Sequence, residues 1–142
     1  MRVNNLELPH KLAQFLEASE WLDFSKKPNF TRVSSSPYAE EIEFLGLEGI
    51  IDLTNNFLEI GKSPERDYYG LVNDASAVEI RNGLLAPSLA VFIASNNEEE
   101  VICLDYSMGK KNPRVMLNNF EQGLCRWIQI ARDFDNLLFK IL

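Results

Sequence analysis

Histidine and cysteine are nearly absent from this chain, which has one histidine, His10, and two cysteines, Cys103 and Cys125. A Ser-His-Asp or Cys-His arrangement would have to use His10, which stands beside Pro9 at the start of a predicted surface helix. That is a poor place for a buried, oriented base. A zinc site needs a close set of Cys and His ligands, and these residues stand at unrelated spacings. We therefore expect neither histidine-dependent catalysis nor a zinc site.

Long apolar segments are missing as well. The N-terminal stretch is too polar for a signal peptide, and no apolar run reaches the roughly 18 residues of a membrane span. Both cysteines fall inside apolar patterns, which is typical of small buried side chains in a reducing compartment. These features predict a cytoplasmic protein. A chain of 142 residues can form one domain, 1–142, without a metal or a disulfide.

Glycine-rich phosphate loops are also lacking. The tripeptide Gly61, Lys62 and Ser63 lacks the earlier glycine at the P-loop spacing, and no predicted strand leads into it. We therefore interpret this tripeptide as an ordinary loop and not as a phosphate-binding loop.

Basic residues are scarce, with 14 Lys and Arg against 21 Asp and Glu, for a net charge of -7. This balance argues against nucleic acid as a ligand, because binding a phosphate backbone depends on Lys and Arg. It equally disfavours anionic membranes. Two interpretations stay open: an acidic surface that keeps the protein soluble, or one that faces a basic partner.

The acidic residues are clustered. No Lys or Arg occurs between Pro37 and Glu59, where six acids stand: Glu40, Glu41, Glu43, Glu48, Asp52 and Glu59. A second acidic group is Glu98, Glu99 and Glu100.

The second group lies at the tip of the clearest predicted β-hairpin, VFIASNNEEEVICLDYS. Two runs rich in β-branched and apolar residues flank a turn whose asparagines favour left-handed backbone. In the second strand Ile102, Leu104 and Tyr106 share one face, while Cys103 and Asp105 lie on the other. Because both faces are largely apolar, we expect this hairpin to be central in a sheet with helices on at least one side.

Helices are predicted on both sides of this hairpin in the chain. Apolar spacing predicts a helix after Pro9 and a C-terminal helical region that carries Trp127 and Ile128 on its apolar face. Asn118 resembles the cap of that region, because Glu121 follows three residues later. The segment LEGIIDLTNNFLE mixes helical and strand spacing, and we favour a helix there. Asp133 is a candidate cap for a separate last helix. Short strands are expected near Phe30 and on either side of a turn in YYGLVND and AVEIRNG. The order predicts an α+β fold with a mainly antiparallel sheet, flanked by N-terminal and C-terminal helices.

The acidic tip has three possible roles. It could be a solvated turn that blocks edge pairing, a partner-binding surface, or a metal or catalytic site. Calcium loops interleave their ligands with glycine, whereas three consecutive strand residues point to different sides. A paired-carboxylate hydrolase would need two acids in one cleft.

Asp105 stands between apolar residues inside the second predicted strand. An unpaired buried carboxylate is costly, so this side chain must find a partner or reach solvent. It therefore either accepts hydrogen bonds from loop backbone or takes part in a surface contact.

Three segments resemble the SUKH superfamily, which includes bacterial immunity proteins and fungal regulators of cell-wall synthesis. LPHKLAQFL is similar to the LP..Y..FL signature that opens the domain, with Leu12 in place of its tyrosine. LAVFIASNNEEEVICLDYS resembles the central hairpin, with Asp105 at the aspartate of the family's lD pair. WIQIARDFDNLLFKIL is similar to the closing helix. The acidic turn matches no family motif, so its role rests on charge alone.

The resemblance implies an α+β domain without a cofactor, and bacterial members typically neutralise a toxin, often a nuclease, by binding it. We therefore expect a non-enzymatic immunity protein whose partner is a basic toxin domain. The alternatives are a regulatory scaffold for endogenous proteins and a carboxylate-dependent enzyme. The candidate partner-binding residues are Glu98, Glu99, Glu100 and Asp105, together with Glu40, Glu41 and Glu43.

Overall fold

The computed structural model describes residues 1–18, 27–73, 83–97 and 99–142, and contains two sheets and three α-helices within them. The strands are β1 (Arg2–Val3), β2 (Leu6–Glu7), β3 (Glu43–Phe44), β4 (Ala90–Ser95), β5 (Val101–Asp105), β6 (Arg114–Glu121) and β7 (Leu124–Ala131). The α-helices are α1 (His10–Ala18), α2 (Leu47–Gly61) and α3 (Phe134–Ile141). Short 3₁₀ helices span Phe30–Arg32, Ala39–Glu41, Pro64–Asp67 and Pro87–Leu89.

The main sheet has five antiparallel strands in the order β3-β4-β5-β6-β7, so β5 is its central strand. This confirms the predicted α+β class and the central position of the β4–β5 hairpin. Every residue of β5 is buried, which agrees with the apolar character of both its faces.

The two faces of the sheet carry separate hydrophobic clusters. On one face Ile102 and Leu104 of β5 pack with Leu12 of α1 and Leu137 of α3. On the other face Cys103 belongs to a cluster with residues of β4, β6, β7 and α2. Helices therefore cover both faces, and the predicted alternation of side chains along β5 is confirmed.

Helix α2 supports the second face through an aromatic stack and one buried hydroxyl. The ring of Phe57 stacks on Phe92 at 4.1 Å between centroids. A β-bulge shifts the register between Phe92 and Ala94. The fully buried Thr54 accepts a hydrogen bond at its Oγ1 from the Phe92 N–H at 3.0 Å. A side chain of the helix thus satisfies a buried strand donor beside the bulge.

A small N-terminal hairpin precedes α1 and was not foreseen from the sequence. Strands β1 and β2 are joined by Asn4 and Asn5, whose φ angles are 51° and 66°. Two consecutive positive φ angles define the tight hairpin turns that asparagine tolerates. Tyr106 donates its hydroxyl to the Glu7 carbonyl at 2.6 Å, which ties this hairpin to the end of β5.

The C-terminal helical prediction was wrong over its first half. Residues 114–131 form the β6–β7 hairpin, whose turn has positive φ at Gln122 (53°) and Gly123 (81°). Trp127 therefore lies on a strand, although it is buried in the core as expected. The predicted break is confirmed, because Asp133 caps α3 by accepting from the Asn136 N–H at 2.8 Å.

Two shorter strand predictions had different outcomes. The strand expected near Phe30 is a 3₁₀ helix, capped by the Asn29 side chain, which accepts from the Thr31 N–H at 3.1 Å. In the segment after Tyr69, Leu71 and Leu85 form a single isolated bridge. Most of the second predicted strand there lies outside the described residues.

Candidate partner-binding surface

The two acidic groups that are separate in the sequence meet at one edge of the sheet. Strand β3 pairs with the end of β4, which places Glu43 opposite Ser95. The next residue, Asn96, donates its side-chain amide to the Tyr38 carbonyl at 3.0 Å, just before Glu40 and Glu41. We call the five acids placed here the acidic edge: Glu40, Glu41, Glu43, Glu99 and Glu100. Glu98 lies outside the described residues.

The hairpin tip behind these acids is held by two asparagine side chains. Asn96 accepts from the Glu100 N–H at 3.1 Å. The buried Asn118 of β6 accepts from the Val101 N–H at 2.8 Å and donates to the Glu99 carbonyl at 2.7 Å. Glu99 itself has a φ of 73°, in the left-handed region. The tip is therefore a fixed turn, and Asn118 supports it instead of capping a helix as the sequence had indicated.

Glu100 differs from the other acids of the edge. Glu40, Glu41, Glu43 and Glu99 are exposed, whereas Glu100 is half-buried. The Ser36 hydroxyl donates to its Oε1. Its Oε2 is buried and lacks a hydrogen-bond donor among the described residues. One carboxylate oxygen thus anchors the Ser34–Tyr38 loop to the hairpin, and the other is unsatisfied.

Asp105 does not belong to this surface, which corrects its assignment as a partner-binding residue. The residue is 1% exposed and lies directly opposite Arg114 in the β5–β6 pair. Its Oδ2 accepts from the Arg114 Nε at 2.8 Å, and its Oδ1 accepts from the Ser107 N–H at 2.9 Å. Of its two predicted roles, the structural one is therefore confirmed: the carboxylate accepts from loop backbone and pairs with a strand arginine.

A groove of about 1140 Å³ adjoins the acidic edge. Its walls come from the loop of residues 31–38, the hairpin tip, and the β6–β7 hairpin with the end of α3. Three large side chains that line it are strongly exposed, Tyr38 and Tyr68 at 45% and Ile128 at 42%. Among the described residues, the charged ones that line it are Arg32, Glu99, Glu100 and Lys140. Exposed aromatic and aliphatic side chains beside fixed charges are typical of interface anchors.

Sequence reasoning missed most of this groove. Ile128 was assigned to the apolar face of a helix, and Arg32 and Tyr38 stood in a loop without a recognisable motif. Among its lining residues, Glu99 and Glu100 were predicted to bind a partner, and Tyr68 carried a weaker signal because aromatic residues near a loop boundary can serve as interface anchors. No pattern in the sequence predicts that the loop after Phe30 lies close to the β6–β7 hairpin.

Titration behaviour at this surface is governed by burial and by the acids. Burial, followed by the negative charges of Glu99 and Glu65, raises the pKa of the Tyr69 phenol. In the core beneath, burial raises the pKa of the Cys125 thiol to about 11 and raises that of Cys103 as well. Both cysteines are free and buried, as predicted.

Within the described ranges, no group of three or more His, Cys, Asp or Glu side chains is arranged to hold a metal ion. His10 is exposed at the start of α1. The described helices include none with both the length and the apolar character of a membrane span.

Comparison of the chain with family models, with curated proteins and with solved structures found no match.

Proposed function

We propose that this protein is a non-enzymatic, cytoplasmic binding protein that neutralises a basic toxin domain, as an immunity protein does. The observation that carries the proposal is the convergence of Glu40, Glu41, Glu43 and Glu99 on one exposed edge beside the groove. The resemblance of three segments to the SUKH superfamily supports the same function. Asp105 is outside this proposal because it is buried.

The acidic edge and the groove have different roles in this proposal: the first speeds association and the second slows dissociation. Clustered charges of one sign attract an oppositely charged protein before contact and raise the association rate constant, up to about 10⁸–10⁹ M⁻¹s⁻¹ at low salt. A toxin that grips phosphate is basic at that surface, so the acidic edge is complementary to it. The exposed side chains of the groove then supply the buried contacts on which residence time depends.

The first experiment identifies the partner and measures its association kinetics. Co-purification from the source organism with mass spectrometry yields candidates, and each is then purified and tested for activity with and without this protein. With an inhibited candidate, replacing Glu40, Glu41, Glu43 and Glu99 by Gln should slow association by on the order of tenfold at low salt. It should also flatten the dependence of the rate on ionic strength.

A matched variant controls for net charge. Replacing Glu17, Asp52, Glu59 and Asp135 by their amides removes the same four charges from exposed positions outside the acidic edge. Glu100 is left intact in both variants because it anchors Ser36. If association slows equally in the two variants, the acidic edge acts only through the net charge of the protein and not through its position. Purified candidates whose activity this protein leaves unchanged would contradict neutralisation.

A further inference from the structure

The charged residues of the groove are segregated to its two ends. At one end the Asn29 N–H donates to the Ile141 carbonyl at 2.7 Å, which joins the 3₁₀ helix that ends at Arg32 to the end of α3. Lys140 stands on that same turn of α3 and donates its ammonium to the Ile130 carbonyl at 2.8 Å. Arg32 and Lys140, the two cations of the groove in the part of the chain that the structure describes, therefore lie where this 3₁₀ helix meets α3.

The opposite end of the same loop is acidic. Four positions after Arg32, Ser36 donates to Glu100, and the exposed Glu99 stands next to it. Four residues of backbone span at most about 14 Å when fully extended. The backbone positions of Arg32 and Ser36, which mark the basic and acidic ends, are therefore no further apart than four residues of an extended peptide.

Besides one unmet hydrogen-bond acceptor at its acidic end, the groove offers apolar contacts between the two ends. Ile128 and Tyr38 are both more than 40% exposed there. The buried Glu100 Oε2 lacks a donor among the described residues, and an unsatisfied buried acceptor costs about 1–3 kcal/mol. A cationic side chain placed at this end would offset the negative charge of Glu99 and Glu100. The volume of about 1140 Å³ exceeds that of most small-molecule pockets, which favours a polypeptide segment as the occupant.

We propose that the groove binds one extended segment of the protein partner, with a Lys or Arg and an acidic residue up to four positions apart and an apolar side chain between them. The basic residue lies against Glu99 and Glu100, the acidic residue against Arg32 and Lys140, and the apolar one against Ile128. In an extended segment, side chains two and four positions apart point the same way, so all three face the groove. This inference rests on the proposed function and names the element of the partner that is recognised.

The test uses a synthetic peptide, acetyl-Gly-Lys-Thr-Leu-Thr-Glu-Gly-amide, titrated at millimolar concentration into the ¹⁵N-labelled full chain. Lys, Leu and Glu lie on one face of this peptide when it is extended. Amide shifts confined to residues 32–38, Glu99 and the strand around Ile128 are the expected result. A peptide with Gln in place of Lys and Glu should give much smaller shifts. Shifts elsewhere, no shifts, or equal shifts with both peptides would overturn the proposal.

A charge exchange gives the sharper test. The E99K variant should bind the original peptide about two- to fivefold more weakly, the range expected for an exposed ion pair. A peptide with Glu in place of its Lys should recover that loss on E99K but not on the wild-type chain. The control E17K makes the same charge change on α1, away from the groove, and should leave both affinities unchanged. Absence of recovery would overturn the assigned orientation of charges.

The two proposals fail separately. If a purified partner is neutralised and its affinity is insensitive to E99K and to the substitution I128S, the immunity function stands and the groove is not its contact. If the peptide binds as described while no candidate toxin is inhibited, the groove recognises segments of this chemistry for another purpose. Thermal unfolding of E99K and I128S would establish that both variants are folded.

Discussion

The acids at the two ends of the β4–β5 hairpin differ in burial. At its base Asp105 is 1% exposed and paired with Arg114. At its tip Glu99 is exposed, with its backbone held by Asn118. The sequence marks both as unusual acids, yet only the tip can meet a partner. An acid within an apolar strand therefore indicates structure, whereas an acid on a turn that other side chains hold in place indicates a surface.

This difference has an energetic reason. A carboxylate taken out of water must regain its lost hydration from fixed donors, and Asp105 does so through Arg114 and the Ser107 N–H. An exposed acid keeps its water and contributes little to stability. The stability of the fold and the charge of its surface are thus carried by different acids of one hairpin.

The largest expected effect comes from breaking the buried pair. The substitution Asp105→Ala should lower the free energy of unfolding by about 3–5 kcal/mol, because it leaves the mostly buried Arg114 guanidinium without its counter-charge. Urea denaturation followed by circular dichroism measures this. Asp105→Asn keeps an oxygen that can accept from Ser107 and should cost less. If Asp105→Ala lowers the free energy of unfolding by less than about 1 kcal/mol, the range measured for exposed ion pairs, Asp105 would contribute no more to stability than a surface acid.

A smaller effect should appear at alkaline pH from the buried thiols of the core. Burial raises the pKa of Cys125 to about 11 and raises that of Cys103, whereas an unfolded thiol titrates near about 8.5. The native state therefore holds these protons to higher pH. The stabilisation is complete below the unfolded pKa and is lost as pH rises through the folded pKa.

The free energy of unfolding should thus fall with increasing pH above about 9, by at most ~1.4 kcal/mol per pH unit for each proton. Urea titrations at a series of pH values measure the slope. The double substitution of both cysteines by Ala should flatten it most clearly between about pH 8.5 and 9, before tyrosines with a pKa of about 10 ionise appreciably. A slope that is identical in the double variant would assign the alkaline loss to other groups.

The smallest effect is expected at the acidic edge. Replacing Glu40, Glu41, Glu43 and Glu99 by Gln should change the free energy of unfolding by no more than about 0.5 kcal/mol per residue, as for other exposed positions. The same urea experiment measures this, with the matched four-amide variant as control. A combined loss close to that of Asp105→Ala would mean that these acids hold the fold together, and the comparison between tip and base would fail.

Local patterns were sufficient for several elements. The β4–β5 hairpin follows from two apolar runs around an asparagine-containing turn. The segment of α2 mixes helical and strand spacing, and the helix that was favoured there is confirmed. The cap at Asp133 was likewise recognisable. Each of these signals lies within a few residues of the element that it specifies.

The β6–β7 hairpin shows where such patterns fail. The apolar residues of this segment stand at intervals of three and four, which fits a helix. The segment instead forms two strands. Because both faces of these strands contact the core or the groove, their apolar residues do not alternate. Gly123, inside the predicted helix, was the available signal for a turn. Its neighbour Gln122 also has positive φ, a position more often held by asparagine, so the turn was not recognised.

By itself the sequence determined an acidic α+β chain with a central hairpin and free buried cysteines, because composition, alternation and turn chemistry act over short distances. Tertiary structure alone decided that Glu43 lies beside the hairpin tip, that Glu100 anchors Ser36, and that Asp105 is buried against Arg114. These outcomes depend on strand pairing and on side-chain contacts between residues as many as 64 positions apart. Such pairing is set by the packing of the whole core, which no local pattern encodes.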